Sequence, residues 1–212
     1  TSVFGVKEAY DEGDADFHTI VAKMADIPRT AAKTINLGLF YGMGKAKLQA
    51  ELGVSKDKAE ELFNIYHSRV PFVKSLMNSV SNRAQQRGQI RTLLGRLCRF
   101  HLWEPNTFGM HKALPFEQAV QEHGPGIKRA YTYKALNKLI QGSAADMTKK
   151  SMLDLYKEGI VAHIQIHDEL DISVESPEQA KKIVEIMENA VKLEIPNKVD
   201  YESGKNWGTI ND

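Results

Sequence analysis

The chain has 212 residues, 42% of them hydrophobic and 26% charged, enough for one sizeable domain or two small lobes sharing a core. With 28 Lys and Arg against 27 Asp and Glu, the formal net charge is +1; bulk basicity is excluded as a sign of nucleic-acid binding, and only the distribution of charge can carry that case. Cys98 is the single cysteine, which excludes an intramolecular disulfide and a multi-cysteine zinc site and points to a reducing, cytoplasmic compartment.

No apolar run reaches the ~20 residues needed to cross a bilayer, and no basic signal region opens the chain, so a soluble protein is expected. The start at Thr1, within an acidic helix-like stretch, reads as that of a cut or processed protein. Residues 14–26 read as a short helix. Asp26 then caps the next one, with Pro28 in its first turn and Gly42 and Gly44 closing it after Tyr41. Ser55 caps a helix running to Arg69, Pro71 opens another, and Gly88 ends it. Residues 89–92 and 97–101 read as short strands around Leu94, Gly95 and Arg96, and 104–126 as a surface insertion. Residues 131–156 are predicted helical, with a kink at Gly142.

The last third changes character. Residues 160–166 and 169–174 alternate apolar and polar about the turn His167-Asp168, a β-hairpin pattern. Pro177 starts an amphipathic helix through Leu193, and 199–202 could return as a strand. Helices first and then a small antiparallel sheet with helices packed on it make an α+β fold. Charge is uneven along this order. Between Leu62 and Trp103 there is no Asp or Glu, while Arg69, Lys74, Arg83, Arg87, Arg91, Arg96 and Arg99 all fall there. Such a stretch suits a polyanion, or equally a solvated helix face.

Three constellations could carry chemistry. Arg29, Lys33, Leu37 and Tyr41 recur every fourth residue on one helix face, opposite Ala31, Ala32, Ile35 and Leu39. Two cations near the positive end of a helix suit a triphosphate, and Tyr41 could stack on a base; a plain amphipathic helix fits the same spacing. Asp168 and Glu169 stand at the hairpin turn, where carboxylates could hold Mg²⁺ or merely shape the turn. Asn137 and Gln141 lie one turn apart on a helix and could read sugar or minor-groove edges. Arg96, at the Gly95-Arg96 turn, could clamp a phosphate or simply be solvated.

Together and in this order, these pieces resemble the C-terminal part of family A DNA polymerases, the DNA polymerase I type, with a bacteriophage-like flavour. The segment from Arg29 through Lys33 and Tyr41 to Gly42 is similar to the family's fingers helix, and Thr92-Leu93-Leu94-Gly95-Arg96 to its basic turn toward the primer. Residues 137–146 resemble its Gln-Gly helix, and His167-Asp168-Glu169 its second palm carboxylate motif. Asp16-Phe17-His18 resembles the stretch before the fingers helix, and 203–207 the closing segment.

The resemblance implies a fingers-like helical region over 1–92 and a C-terminal palm region over 93–212. It implies that His18, Arg29 and Lys33 grip the phosphates of an incoming dNTP, with Leu37 and Tyr41 beside the sugar and base. Asp168 would hold catalytic metal with Glu169 in support, so that Asp168, Glu169 and Lys33 are the catalytic candidates and Mg²⁺ the cofactor. Gly42, Arg96, Asn137, Gln141 and His167 would contact primer-template DNA. The implied reaction is attack of a primer 3′-hydroxyl on the α-phosphate of a nucleotide.

Three departures bear on this. Leu37 stands where the family commonly has Phe or Tyr, and Tyr133 where many relatives carry a basic residue. The family's first palm motif, an Asp followed by a Tyr-Ser-like stretch, is not contained in the chain. The chain is therefore expected to polymerise only with the N-terminal portion of the polymerase as partner, on the same or a separate chain. A non-catalytic DNA- or nucleotide-binding module is the alternative.

Overall fold

A computed structural model describes residues 18–19, 22–23, 27–69, 71–107, 109 and 111–209. The expected Asp26 cap, Asp16, Phe17 and most of the helix over 14–26 lie outside the described residues, although His18, Thr19, Ala22 and Lys23 are helical. Helix α1 spans Arg29–Phe40 and buries Ala32, Ile35, Asn36 and Leu39, the i, i+3, i+4, i+7 stripe of a helix with one face inward. Pro28 is its N-cap residue rather than a member of the first turn, and its carbonyl accepts from Ala32 N at 2.9 Å. Gly42, at φ +85°, ends it. That left-handed conformation favours glycine, and it lets Met43 N return to Gly38 O at 2.8 Å.

Helix α2 (Lys45–Leu52) follows and was not expected from the sequence. Its apolar stripe is thin, and Leu48 is the residue it buries. Helix α3 (Lys56–Arg69) starts where Ser55 Oγ accepts from Lys58 N at 3.2 Å, the predicted cap. Helix α4 spans Pro71–Arg87 and stops before Gly88, at φ +66°. Ile35, Leu39, Leu48, Leu62, Tyr66 and Val73 form the first core, which fixes the cationic helix against the helices behind it.

Tyr66 is fully buried, and its hydroxyl finds no hydrogen-bond partner among the described residues. Burial pushes the phenol's pKa upward. A buried hydroxyl without a partner costs about 1–3 kcal/mol of desolvation, so Tyr66→Phe should stabilise the chain. We expect the thermal midpoint to rise by roughly 2–4 °C; a fall would mean that the hydroxyl is satisfied after all.

Strands β1 (Gln89–Arg91) and β2 (Leu97–Arg99) form the predicted antiparallel hairpin, with Ile90 opposite Cys98. Ile90, with Phe100, packs on Val80 and Ala84 of α4 and on Ala135 and Leu136 in the second core. The stretch expected as an insertion is itself folded. Strand β3 (Leu102–Pro105) pairs on one side with β4 (Leu114–Pro115) and on the other with β5 (Ile127–Arg129), and helix α5 (Phe116–His123) covers them through a Trp103–Phe116 edge contact.

Helix α6 (Ala135–Lys157) runs uninterrupted through Gly142. Strands β6 (Ile164–Ile166) and β7 (Glu169–Asp171) and helix α7 (Pro177–Asn189) complete the elements that bear on the site. Both hairpin strands are shorter than expected, α7 ends four residues before Leu193, and 199–202 is irregular rather than a strand. The register also divides the apolar residues of the hairpin between its two faces. Ile164 lies opposite Asp171 and Ile166 opposite Glu169, while Gln165 lies opposite Leu170. Because paired residues share a face, Ile164 and Ile166 stand with the acids, and Leu170 and Ile172 pack on the third core of Leu155, Ile160 and Ile183. The molecule is α+β.

Candidate active site

Along α1, Arg29, Lys33 and Leu37 are exposed while the opposite face is sealed. The first turn carries no acidic residue. The positive end of the helix dipole is thus uncompensated within the helix, and the two cations add to it, which makes this face attractive to an anion. Beyond the helix end, the half-buried Tyr41 accepts a hydrogen bond from Gln141 Nε2 on α6 at 2.8 Å. This contact joins two predicted site residues that lie 100 positions apart. Asn137, half-buried, stands one turn before Gln141, and Gly42 is exposed beside Tyr41. His18 Nδ1 lies 3.2 Å from Nδ2 of the buried Asn36, so His18 is held beside α1.

Arg96 is engaged rather than a solvated turn residue. Its Nε donates to Asp146 Oδ1 at 2.7 Å and its Nη2 to Gly142 O at 2.7 Å. Thr92 Oγ1 donates to the other Asp146 oxygen and accepts from Arg96 N at 3.0 Å. Leu93 N donates to Ser143 Oγ at 2.9 Å. The β1–β2 turn is therefore clamped onto α6. Burial by itself would raise the Asp146 carboxyl, but the hydrogen bonds from Thr92 and Arg96 and the guanidinium charge outweigh it and hold the carboxyl below its ordinary range. Gly142 allows the clamp: a Cβ there would lie 2.8 Å from Thr92 Cγ2 and 3.3 Å from Arg96 Nη2. Close approach, not a kink, explains this glycine.

Sequence reading passed over Thr92, Ser143 and Asp146 as parts of the site. Asp146 lies on the α6 face shared with Leu139 and Ser143, and an acid on an inward-facing stripe requires a partner; that was the available signal.

At the β6–β7 turn His167 has φ +54°, a left-handed conformation that a non-glycine residue seldom adopts. Gln165 Nε2 braces the turn by donating to His167 O at 2.6 Å. His167, Asp168 and Glu169 are exposed at the tip, and among the described residues the two carboxylates form no side-chain hydrogen bond or ion pair. Among the described residues, no three His, Cys, Asp or Glu side chains gather as a metal-binding group.

The model of the family described as DNA polymerase family A matches residues 5–209. The chain belongs to DNA polymerase family A. Among relatives of this family A chain, a DNA-directed DNA polymerase of Pseudomonas phage M6 is 32% identical, the alignment covering 93% of this chain and 32% of that protein. DNA polymerase I of Bacillus caldotenax is 31% identical over 92% of this chain and 22% of its own length. The chain thus spans a third or less of these relatives. A solved structure titled POL domain of Pol1 from M. smegmatis, in complex with DNA primer-template and dNTP, is similar with a TM-score of 0.77 and 28% identity, over 99% of this chain and 37% of that one. No described helix is long and apolar enough to cross a membrane.

Proposed function

We propose that this family A chain forms the fingers (1–92) and C-terminal palm (93–212) of a DNA-directed DNA polymerase, taking part in template-directed nucleotidyl transfer together with the N-terminal portion of the enzyme. The observation that carries the reading is the Tyr41–Gln141 hydrogen bond, which ties the end of the cationic helix to the helix bearing the amide pair. The kinship with polymerases, and a structural neighbour holding primer-template DNA and dNTP, support the same partners here.

In this reading His18, Arg29 and Lys33 bind the phosphates of the dNTP, and Leu37 and Tyr41 border its sugar and base. Leu37 presents a flexible aliphatic side chain to the sugar in place of a ring. Gly42, Arg96, Asn137, Gln141 and His167 position primer-template DNA. Asp168 and Glu169 offer adjacent hard oxygen donors, the chemistry Mg²⁺ prefers, and so fit one side of a metal site. Mg²⁺ bound there would neutralise phosphate charge and lower the pKa of the attacking hydroxyl. Correct pairing of the dNTP would draw the α1 helix toward the hairpin tip and align the reacting groups.

The test mixes the chain with the N-terminal portion, primer-template, dNTPs and Mg²⁺ and follows primer extension. Lys33→Ala removes one charged phosphate contact, worth about 1.5–3 kcal/mol, and should weaken dNTP binding by about 10- to 100-fold. Unchanged dNTP affinity would contradict the phosphate grip. Salt-sensitive DNA binding without extension under any complementation would favour a non-catalytic binding module instead.

A further inference from the structure

Asn36 is a polar side chain on the buried stripe of α1. It shares that stripe with Ala32, Ile35 and Leu39 and is 2% exposed. An amide placed there costs free energy unless its groups are paired, and Asn36 is paired on one side only. Its Nδ2 meets His18 Nδ1 at 3.2 Å, while its Oδ1 is buried and meets no hydrogen-bond partner among the described residues. Stability therefore does not account for an amide at this position.

The one bond that Asn36 makes has a direction. An amide nitrogen carries only donors, so the contact requires His18 Nδ1 to accept with its lone pair. A neutral imidazole whose Nδ1 accepts carries its proton on Nε2. Asn36 thus selects one of the two tautomers of His18, and it does so from the buried face of the helix whose outer face presents Arg29 and Lys33. The choice decides what the imidazole can do for a phosphate. An Nε2–H donates to a phosphate oxygen, whereas a bare Nε2 only accepts and would face that oxygen lone pair to lone pair.

We propose that Asn36 is a positioning residue for His18: it fixes the imidazole in the Nε2–H tautomer and so supplies a neutral hydrogen-bond donor for the phosphates of the incoming nucleotide, alongside the charged Arg29 and Lys33. The proposal rests on the reading of His18 as a phosphate ligand and adds to it the residue that sets its hydrogen-bonding polarity. Two measurements test it. Long-range proton–nitrogen correlation spectra of the chain labelled at its histidines, recorded at about pH 8.5 where an ordinary histidine is neutral, report which ring nitrogen carries the proton, and His18→Gln identifies the His18 signals. The wild type should show Nε2–H. Asn36→Asp keeps the size but offers acceptors only, and should place a proton on Nδ1.

The second measurement is a double-mutant cycle on dNTP affinity, taken from the dNTP dependence of single-turnover extension by the chain with the N-terminal portion, primer-template and Mg²⁺. It uses Asn36→Ala, which removes the amide without adding a buried charge and keeps the test open where the Asp variant does not fold. Asn36→Ala should weaken dNTP binding roughly 3- to 10-fold, the worth of one neutral hydrogen bond, with the maximal rate retained. In the His18→Gln background it should have no further effect. A wild-type His18 with its proton on Nδ1, the same tautomer in the wild type and Asn36→Asp, or an equal loss from Asn36→Ala in both backgrounds overturns the positioning role. So does full dNTP affinity in Asn36→Ala when His18→Gln has lost it. Unchanged affinity in His18→Gln overturns instead the phosphate reading of His18, and a complemented enzyme without extension overturns the polymerase reading; in both cases the spectra still decide the tautomer.

Discussion

Replacing Asp168 by Ala should abolish primer extension in the complemented enzyme, lowering the single-turnover rate by about a thousand-fold, roughly 4 kcal/mol of transition-state stabilisation. Asp168 is exposed at the tip of a turn whose shape is set by His167 at φ +54° and by the Gln165 brace, so the substitution removes a charge without emptying a core. Unfolding free energy should therefore stay within about 0.5 kcal/mol of the wild type. Quench-flow extension and urea unfolding measured on the same variant separate the two effects. Extension that survives Asp168→Ala would refute the metal-ligand assignment.

The second large effect is expected at Asp146, through stability rather than chemistry. Its carboxylate accepts from both Thr92 and Arg96 while almost wholly buried. Asp146→Asn keeps the volume but turns a donor toward one of these two donors, at a cost of about 1–3 kcal/mol from the group left unsatisfied. The pH dependence has a defined sign. A carboxyl held below its unfolded pKa stabilises the fold at pH above the ordinary carboxylate range, and that contribution is lost as pH falls through the folded-state value. Urea unfolding at neutral pH and at about pH 3 should show a smaller acid-induced loss in Asp146→Asn than in the wild type. The remaining loss comes from other acids with lowered pKa values, such as Glu60 and Glu158, which sit in exposed pairs with Lys45 and Lys182. Identical pH dependence in the two proteins would rule out the clamp as the source of the shift.

Much of the fold was legible because its signals are local. The Ser55 cap, Pro71 and Gly88 bracket two helices in the sequence and in space, and the short strands expected over 89–92 and 97–101 pair as 89–91 and 97–99 about the glycine turn between them. Helix α2 escapes a sequence reading because one buried leucine leaves almost no periodicity to detect. The faces of the β6–β7 hairpin lie beyond a sequence reading for another reason. Alternation gives the period of each strand, but only the two-residue turn sets the register that places Ile164 opposite Asp171.

The site divides along the same line. The Arg29, Lys33, Leu37 stripe could be read from helical spacing, and its opposite face is buried as that spacing requires. The Arg96–Asp146 pair spans 50 positions, and nothing in local pattern names the partner of a buried acid. Gly142 was visible, but its reason, the methyl group of Thr92, was not.

A single neutral hydrogen bond between solvent-accessible groups, such as the one from Gln141 to the Tyr41 hydroxyl, is worth about 1 kcal/mol in water. That makes it a catch rather than a weld: it biases the two helices toward one another by about five-fold, and any ligand atom offering Tyr41 or Gln141 an equivalent bond can release it at little expense. Occupancy at either residue would thereby be felt at the other without a spring or a strained hinge between them.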